Sequence, residues 1–123
     1  MEDGRTSKPS PPQAFAVSTL LGNQVVDRAG HDVGRIQELM VDPKNGRVTY
    51  AVMSFGGLLG VGEKLFAVPW MSLELDPEKD RFVLDVDREK LKDAPGFDKD
   101  DWPNMSGTYW GTDVPKFYDV RRD

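Results

Sequence analysis

The fold is decided by residues 33–55, which read VGRIQELMVDPKNGRVTYAVMSF. At the centre of this stretch, Asp42-Pro43-Lys44-Asn45-Gly46 has the composition of a turn. Pro43 presets φ for a tight bend, and Asn45 and Gly46 tolerate the positive φ that the chain needs to leave it. The sequence therefore predicts a β-hairpin folded about this turn.

The register of the hairpin follows from counting outward from the turn, because side chains alternate between the two faces of a strand. Val41 is predicted to lie opposite Val48, and Leu39 opposite Tyr50. Both pairs are expected to point inward.

A β-bulge is predicted near Gln37-Glu38. Ile36 rather than Gln37 must oppose Val52 if apolar side chains are to stay on one face, so the strand needs one extra residue. Bulged and strongly bent hairpins are typical of small closed barrels.

Short apolar stretches on either side of the hairpin predict the other strands. Phe15 to Val26 predicts one or two brief strands, whereas Lys64 to Trp70, Ser72 to Asp76 and Arg81 to Val86 predict one each. About six strands at short, even spacing favour a mainly β fold, either a small antiparallel barrel or a sandwich.

A short helix is predicted after the strands. Asp87 is a good N-cap, Val86 and Leu91 have the spacing of a hydrophobic staple, and Pro95-Gly96 ends the helix after about two turns. The expected organisation is a disordered, proline-rich tail over residues 1–14, a barrel over 15–88 and a helical or irregular extension over 89–123.

The C-terminal extension is rich in aromatic residues. It holds six of the chain's twelve, namely Phe97, Trp102, Tyr109, Trp110, Phe117 and Tyr118. Burial of each ring is worth roughly 4–6 kcal/mol gross by area, so six rings are not expected to stay in water. The extension is therefore predicted to pack on the barrel or on a second subunit.

Composition excludes several classes of function. A net charge of −5 without a cluster of Lys and Arg argues against nucleic-acid binding. The absence of cysteine removes disulfides and thiolate chemistry, and no apolar run is long enough for membrane insertion. A cytoplasmic location is the resulting expectation.

The glycine-rich segment 56–62 has the spacing of a phosphate-binding loop between Gly57 and Gly62. Glu63, however, occupies the position where such a loop needs a lysine, and a strand rather than a helix is predicted to follow. We interpret the segment as a connection whose apolar residues either cover one end of the barrel or contact a partner.

Acidic residues spaced two apart resemble the early positions of a calcium loop, in the sets Asp76, Glu78, Asp80 and Asp85, Asp87, Glu89. Neither set has the glycine required at the sixth position, so turn and helix-cap roles are expected. His31 is predicted to be an exposed, idle imidazole, and Ser54 lacks the flanking glycines of a hydrolase elbow. We predict no catalytic residue, no metal site and no cofactor.

The order and spacing of several short motifs resemble the PRC-barrel family, named after the photosynthetic reaction centre. They are Leu21-Gly22, Val25-Val26-Asp27, Gly30, Val33-Gly34-Arg35-Ile36, Val41-Asp42-Pro43, Gly46-Arg47-Val48 and Phe66-Ala67-Val68-Pro69-Trp70. The continuation from Leu91 to Pro103 is similar to the extension of free-standing bacterial members. The resemblance implies a small β-barrel that acts by contact and has no catalytic residues.

The function expected from these observations is a non-enzymatic adaptor or assembly module that forms a homodimer and binds an unidentified protein. The predicted partner-binding residues are Leu58, Leu59, Val61, Trp102, Tyr109 and Trp110. The alternative is a regulatory domain that binds a small ligand or a metal through the barrel mouth or the acidic turns.

Overall fold

A computed structural model describes residues 14–55 and 64–120. Predictions for the N-terminal tail up to residue 13 and for the glycine-rich segment lie outside the described residues. The helices are α1 Val17–Leu20, α2 Arg88–Leu91 and α3 Val114–Phe117, with a 3₁₀ turn at Trp70–Ser72 and a π-helical turn at Tyr109–Asp113. The strands are β1 Gln24–Val26, β2 Asp32–Asp42, β3 Arg47–Ser54, β4 Lys64–Pro69, β5 Leu73–Asp76, β6 Arg81–Leu84 and β7 Gly96–Asp98.

The seven strands form one sheet in the order β5-β6-β1-β2-β3-β4-β7. The predicted mainly β, PRC-type fold with short C-terminal helices is confirmed. Two details were wrong. β1 pairs in parallel with β6, and within the described residues no ladder joins the outer strands β5 and β7, so the sheet is not closed.

The sheet is nevertheless strongly curled, because the 3₁₀ turn at Trp70–Ser72 is all that separates β4 from β5. Those strands are five places apart in the sheet order, which in a flat sheet would be about 24 Å. The two strand residues that flank this three-residue turn can be at most roughly 14 Å apart. The sheet therefore cannot be flat. We call the gap that this turn crosses the seam. Trp70 packs across it onto Phe82 of β6, with ring centroids 5.7 Å apart.

The hairpin β2–β3 follows the prediction near its turn and departs from it further along. Val41 lies opposite Val48 as predicted, but Leu39 faces Ala51, and Tyr50 faces Met40. The cause is a second irregularity between Met40 and Val41, which shifts the register by one residue. Val41 is 47% exposed rather than inward, because it lies near the tip of the hairpin.

The predicted bulge at Gln37 is present, since the register shifts between Ile36 and Glu38. The partners differ by one residue, because Ile36 faces Met53, and Val52 faces Glu38. Ile36 is buried all the same. The bulge therefore performs the predicted task of keeping the apolar side of β2 in the core.

Gly34 allows β2 to pass very close to the end of β3. A Cβ atom at this position would lie 1.8 Å from the carbonyl oxygen of Ser54. No side chain fits at that distance, so glycine is a geometric requirement of this crossing.

The ends of the chain differ most from the expectation. The segment from Phe15 to Val26 contains α1 and a single short strand, and Phe15 is 50% exposed. α2 has one turn rather than two. Pro95-Gly96 leads into β7, which the sequence did not predict and which pairs with the first half of β4.

One core fills the curled sheet and extends under the C-terminal segment. Its buried members are Val25, Val33, Ile36, Ala51, Val52, Met53, Phe55, Phe66, Ala67, Val68, Phe82, Leu84, Val86, Leu91, Phe97, Trp110, Val114 and Tyr118. Four of these, Phe97, Trp110, Val114 and Tyr118, come from the residues after α2.

Candidate interaction surface

The three described members of the predicted contact set lie together in the C-terminal segment. Trp102, Tyr109 and Trp110 surround Phe97, with ring centroids 5.0, 5.5 and 6.0 Å from it. Trp110 is only 4% exposed, and the other two are partly buried. Leu58, Leu59 and Val61 lie outside the described residues. Partner binding by these six residues stays a prediction, but most of the Trp110 surface is already used within its own chain.

Two tyrosines attach the C-terminal segment to the sheet. The Tyr50 hydroxyl donates a hydrogen bond to the Trp110 carbonyl, and their rings meet edge-on at 5.3 Å. The Tyr109 hydroxyl donates to the Pro95 carbonyl at 2.9 Å and accepts from the backbone N–H of Ala67 at 3.2 Å. Burial, and to a lesser extent the charge of Asp113, raise the pKa of Tyr109 to about 12 against the lowering effect of the Ala67 bond.

Tyr118 behaves differently, although it is buried at 7% exposure. Its hydroxyl has no hydrogen-bond partner among the residues that the structure describes. Burial, with a contribution from Tyr109, raises the pKa of Tyr118 well above its ordinary value. This side chain therefore contributes apolar area and carries an unsatisfied polar group.

The C-terminal segment forms one wall of an apolar groove next to the seam. The groove has a volume of about 440 Å³. It is lined by Arg47, Val48, Thr49, Tyr50, Pro69, Trp70, Met71, Pro115 and Val120. Two of these residues, Pro115 and Val120, come from the C-terminal segment, so docking of this segment on the sheet supplies part of the groove wall.

A second cleft lies on the other side of Met71. Its volume is about 400 Å³, and its lining residues are Arg28, Met71, Ser72, Leu73, Glu74, Val83 and Asp85. Among the described lining residues, Met71 alone is shared by both cavities. It is 73% exposed, the highest value among the large apolar side chains that the structure describes. We call the groove, the cleft and Met71 together the seam surface.

Comparison with known proteins places this architecture in a family. The family model of the PRC-barrel domain matches residues 12–91. The chain belongs to the PRC-barrel family. A search of the curated proteins found no match. PRC barrels generally mediate protein interactions, and among the described residues no helix has the length and apolar character needed to cross a membrane.

The seam surface of this PRC barrel was missed by sequence reasoning. Met71 lies between two predicted strands, and nothing in the local pattern distinguishes an exposed methionine from a buried one. The signal becomes visible only when the 3₁₀ turn is seen to cross the gap between strands that are distant in the sheet.

His31 is not the idle imidazole that the sequence predicted. Its Nδ1 lies 3.0 Å from Oδ2 of Asp27, which is only 3% exposed. An ionised carboxylate only accepts hydrogen bonds, so Nδ1 carries the proton in this pair. The prediction failed because the buried partner lies four residues away across the β1–β2 turn.

In the part of the PRC barrel that the structure describes, the Asp27 carboxylate accepts four hydrogen bonds. Oδ1 accepts from the backbone N–H groups of Ala29 at 3.0 Å and His31 at 2.8 Å. Oδ2 accepts from His31 Nδ1 and, at 3.1 Å, from the backbone N–H of Arg88 at the start of α2. Burial opposes ionisation, but these bonds and the charge of His31 outweigh it and lower the pKa of Asp27 to about 2. Asp27 thereby fastens α2 to the sheet.

The predicted N-cap of α2 is corrected by this arrangement. Asp87 occupies the N-cap position but makes no side-chain capping bond. Its carboxylate lies 3.2 Å from the Arg28 guanidinium instead, and Asp27 accepts from the helix N–H in its place.

Other acidic residues stabilise turns, and for Asp76 this is the role expected from the sequence. Asp42, Asp76 and Asp98 each accept a hydrogen bond from a backbone N–H two residues further along the chain. Within residues 14–55 and 64–120, no three His, Cys, Asp or Glu side chains are arranged to hold a metal ion.

Proposed function

We propose that this PRC barrel is a non-catalytic interaction module that forms a homodimer, and that the seam surface is its contact region. The observation that supports the proposal is the position of Met71, an apolar side chain 73% exposed between two concave surfaces. Complete burial of a methionine contributes about 1.5–3 kcal/mol, so covering this residue favours association.

The composition of the groove also supports a role in protein contact. Four of its lining residues have little freedom to move. Tyr50 and Trp70 are held by contacts with Trp110 and Phe82, and the rings of Pro69 and Pro115 are stiff. Binding against such walls costs little conformational entropy, whereas the flexible Met71 adapts to the shape that it meets.

The homodimer is tested by sedimentation velocity of the full chain over a range of concentrations from about 1 to 500 μM. Met71→Asp is expected to weaken the dimer at least tenfold, because it places a charge in the apolar centre of the contact. Met105→Asp is the matched control, since Met105 is 54% exposed and lines neither cavity.

Two results would contradict the proposal. A wild-type chain that remains monomeric at the highest concentration excludes the homodimer. Equal weakening by both methionine variants would show that the effect comes from added charge rather than from the seam surface. Circular dichroism establishes that both variants retain the β-rich fold.

A separate contact by Leu58, Leu59 and Val61 is retained from the sequence. Leu59→Asp tests it by capture of interacting proteins from the native cell with the wild-type chain and the variant. Retention of the same captured proteins by the variant would exclude the residue from the contact.

A further inference from the structure

We infer that the seam surface is self-complementary, and that two copies of the chain associate about a two-fold axis passing close to Met71. The inference rests on the proposed homodimer and specifies its geometry. A projecting side chain lies directly beside a groove that can receive one, and in a two-fold interface each copy supplies the same patch.

The chain order places the two cavities on opposite sides of Met71. Pro69 and Trp70, which precede it, line the groove, whereas Ser72 and Leu73, which follow it, line the cleft. Consider a two-fold axis that passes Met71, lies in the plane of the contact and is perpendicular to the line from groove to cleft. Rotation by 180° about this axis lays the groove of one copy over the cleft of the other. Each copy then contributes both cavities, and the contact closes at two subunits.

The charges of the two cavities match this arrangement. Among the described lining residues, Arg47 is the only charged side chain of the groove. The described residues of the cleft include the acids Glu74 and Asp85 and one cation, Arg28. Arg28 already lies 3.6 Å from Asp85 and 3.2 Å from Asp87, so the cleft has an excess of negative charge.

Other ways of joining two copies are less favourable. Placing groove on groove brings Arg47 against Arg47, and placing cleft on cleft brings Glu74 and Asp85 against their equivalents. Like charges facing each other oppose association. Placing groove on cleft instead brings Arg47 of each copy against the acidic cleft of the other. The expected ion pair across the interface is Arg47 with Glu74.

Charge reversal tests the pairing, with the dimer dissociation constant measured by sedimentation. Arg47→Glu and Glu74→Arg are each expected to weaken the dimer at least tenfold, because each creates two like-charge contacts. The double variant is expected to return to within about threefold of the wild-type constant. Both residues are exposed, so the variants are expected to fold.

A single-cysteine experiment tests the axis independently, because the chain contains no cysteine. A residue next to a two-fold axis lies close to its own copy. Met71→Cys is therefore expected to give a disulfide-linked dimer under mild oxidation, whereas Met105→Cys is expected to remain largely unlinked.

The outcomes separate this inference from the proposed function. A dimer that is insensitive to both single reversals overturns the inference, while the homodimer stands on another surface. Single variants that weaken the dimer without recovery in the double variant overturn the Arg47–Glu74 pairing. Equal crosslinking of Met71→Cys and Met105→Cys overturns the axis. A strictly monomeric wild type removes the homodimer and the inference together.

Discussion

Asp27→Asn tests whether a buried carboxylate joins the N-terminal and C-terminal parts of the chain. The substitution keeps the shape of the side chain but removes its charge, and it turns an NH₂ group toward donors that need an acceptor. Oδ2 faces His31 Nδ1 and the N–H of Arg88, so at least one donor loses its partner. The free energy of unfolding is expected to fall by about 2–5 kcal/mol at pH 7.

The charge itself accounts for a definable part of this loss. The pKa of Asp27 is lowered from 3.8 to about 2 in the folded chain. At roughly 1.4 kcal/mol per pKa unit, the shift contributes about 2 kcal/mol to stability. Because the folded pKa is the lower one, this contribution is fully present above about pH 4 and is lost as the pH falls through about 2.

The assay is urea denaturation of wild type and Asp27→Asn at pH values from 7 down to about 2. The difference in unfolding free energy between the two proteins is expected to stay constant down to about pH 4 and then to shrink. Asp32→Asn is the control, because it removes the same charge from an exposed side chain of the same turn region. If the difference for Asp27→Asn is the same at pH 2.5 and pH 7, or no larger than that of the control, the carboxylate does not have the assigned role.

Further predictions concern stability and are checked by urea denaturation at pH 7. Tyr118→Phe is expected to leave the unfolding free energy unchanged or to raise it by up to about 1 kcal/mol, because the Tyr118 hydroxyl lacks a partner among the described residues. Tyr50→Phe is expected to lower the unfolding free energy by about 1–3 kcal/mol, because it removes the hydrogen bond to the Trp110 carbonyl. The reverse order of these two variants would contradict the hydrogen-bond assignment. Gly34→Ala is expected to lower the unfolding free energy by about 2–4 kcal/mol, because the new Cβ clashes with the Ser54 carbonyl. Gly111→Ala is expected to lower it by at most about 0.5 kcal/mol, because a Cβ at this position meets nothing within 4 Å. Comparable losses at the two glycines would show that the close crossing of β2 and β3 can relax.

Local sequence patterns were sufficient for most of the strands and for the first bulge. The turn at Asp42–Gly46 fixes its own conformation, and the need to keep Ile36 in the core fixes the slip at Gln37. The second irregularity, at Met40 and Val41, lies near the exposed tip of the hairpin. Side chains there need not be buried, so the alternation of apolar and polar residues does not indicate the register shift.

Features formed by residues distant in sequence could not be predicted in the same way. The parallel pairing of β1 with β6, and the reach of Asp27 to Arg88, join positions about sixty residues apart. Neither leaves a periodic signal. The exposure of Met71 likewise depends on how the whole sheet curls, whereas the aromatic residues after α2 were expected to be covered because their apolar area is too large for water.

The end of the family match has a practical meaning for anyone who produces this protein in pieces. Residues 12–91 stop at Leu91, yet β7, Trp110, Val114 and Tyr118 lie beyond that point and fill the same interior. A fragment trimmed to the matched boundary would remove Gly96, whose backbone lies against the Phe66 ring, and the acceptor of the Tyr50 hydroxyl. The region matched by the family model is therefore shorter than the part of the chain that shares one core. The smallest fragment with an intact interior extends at least to Val120.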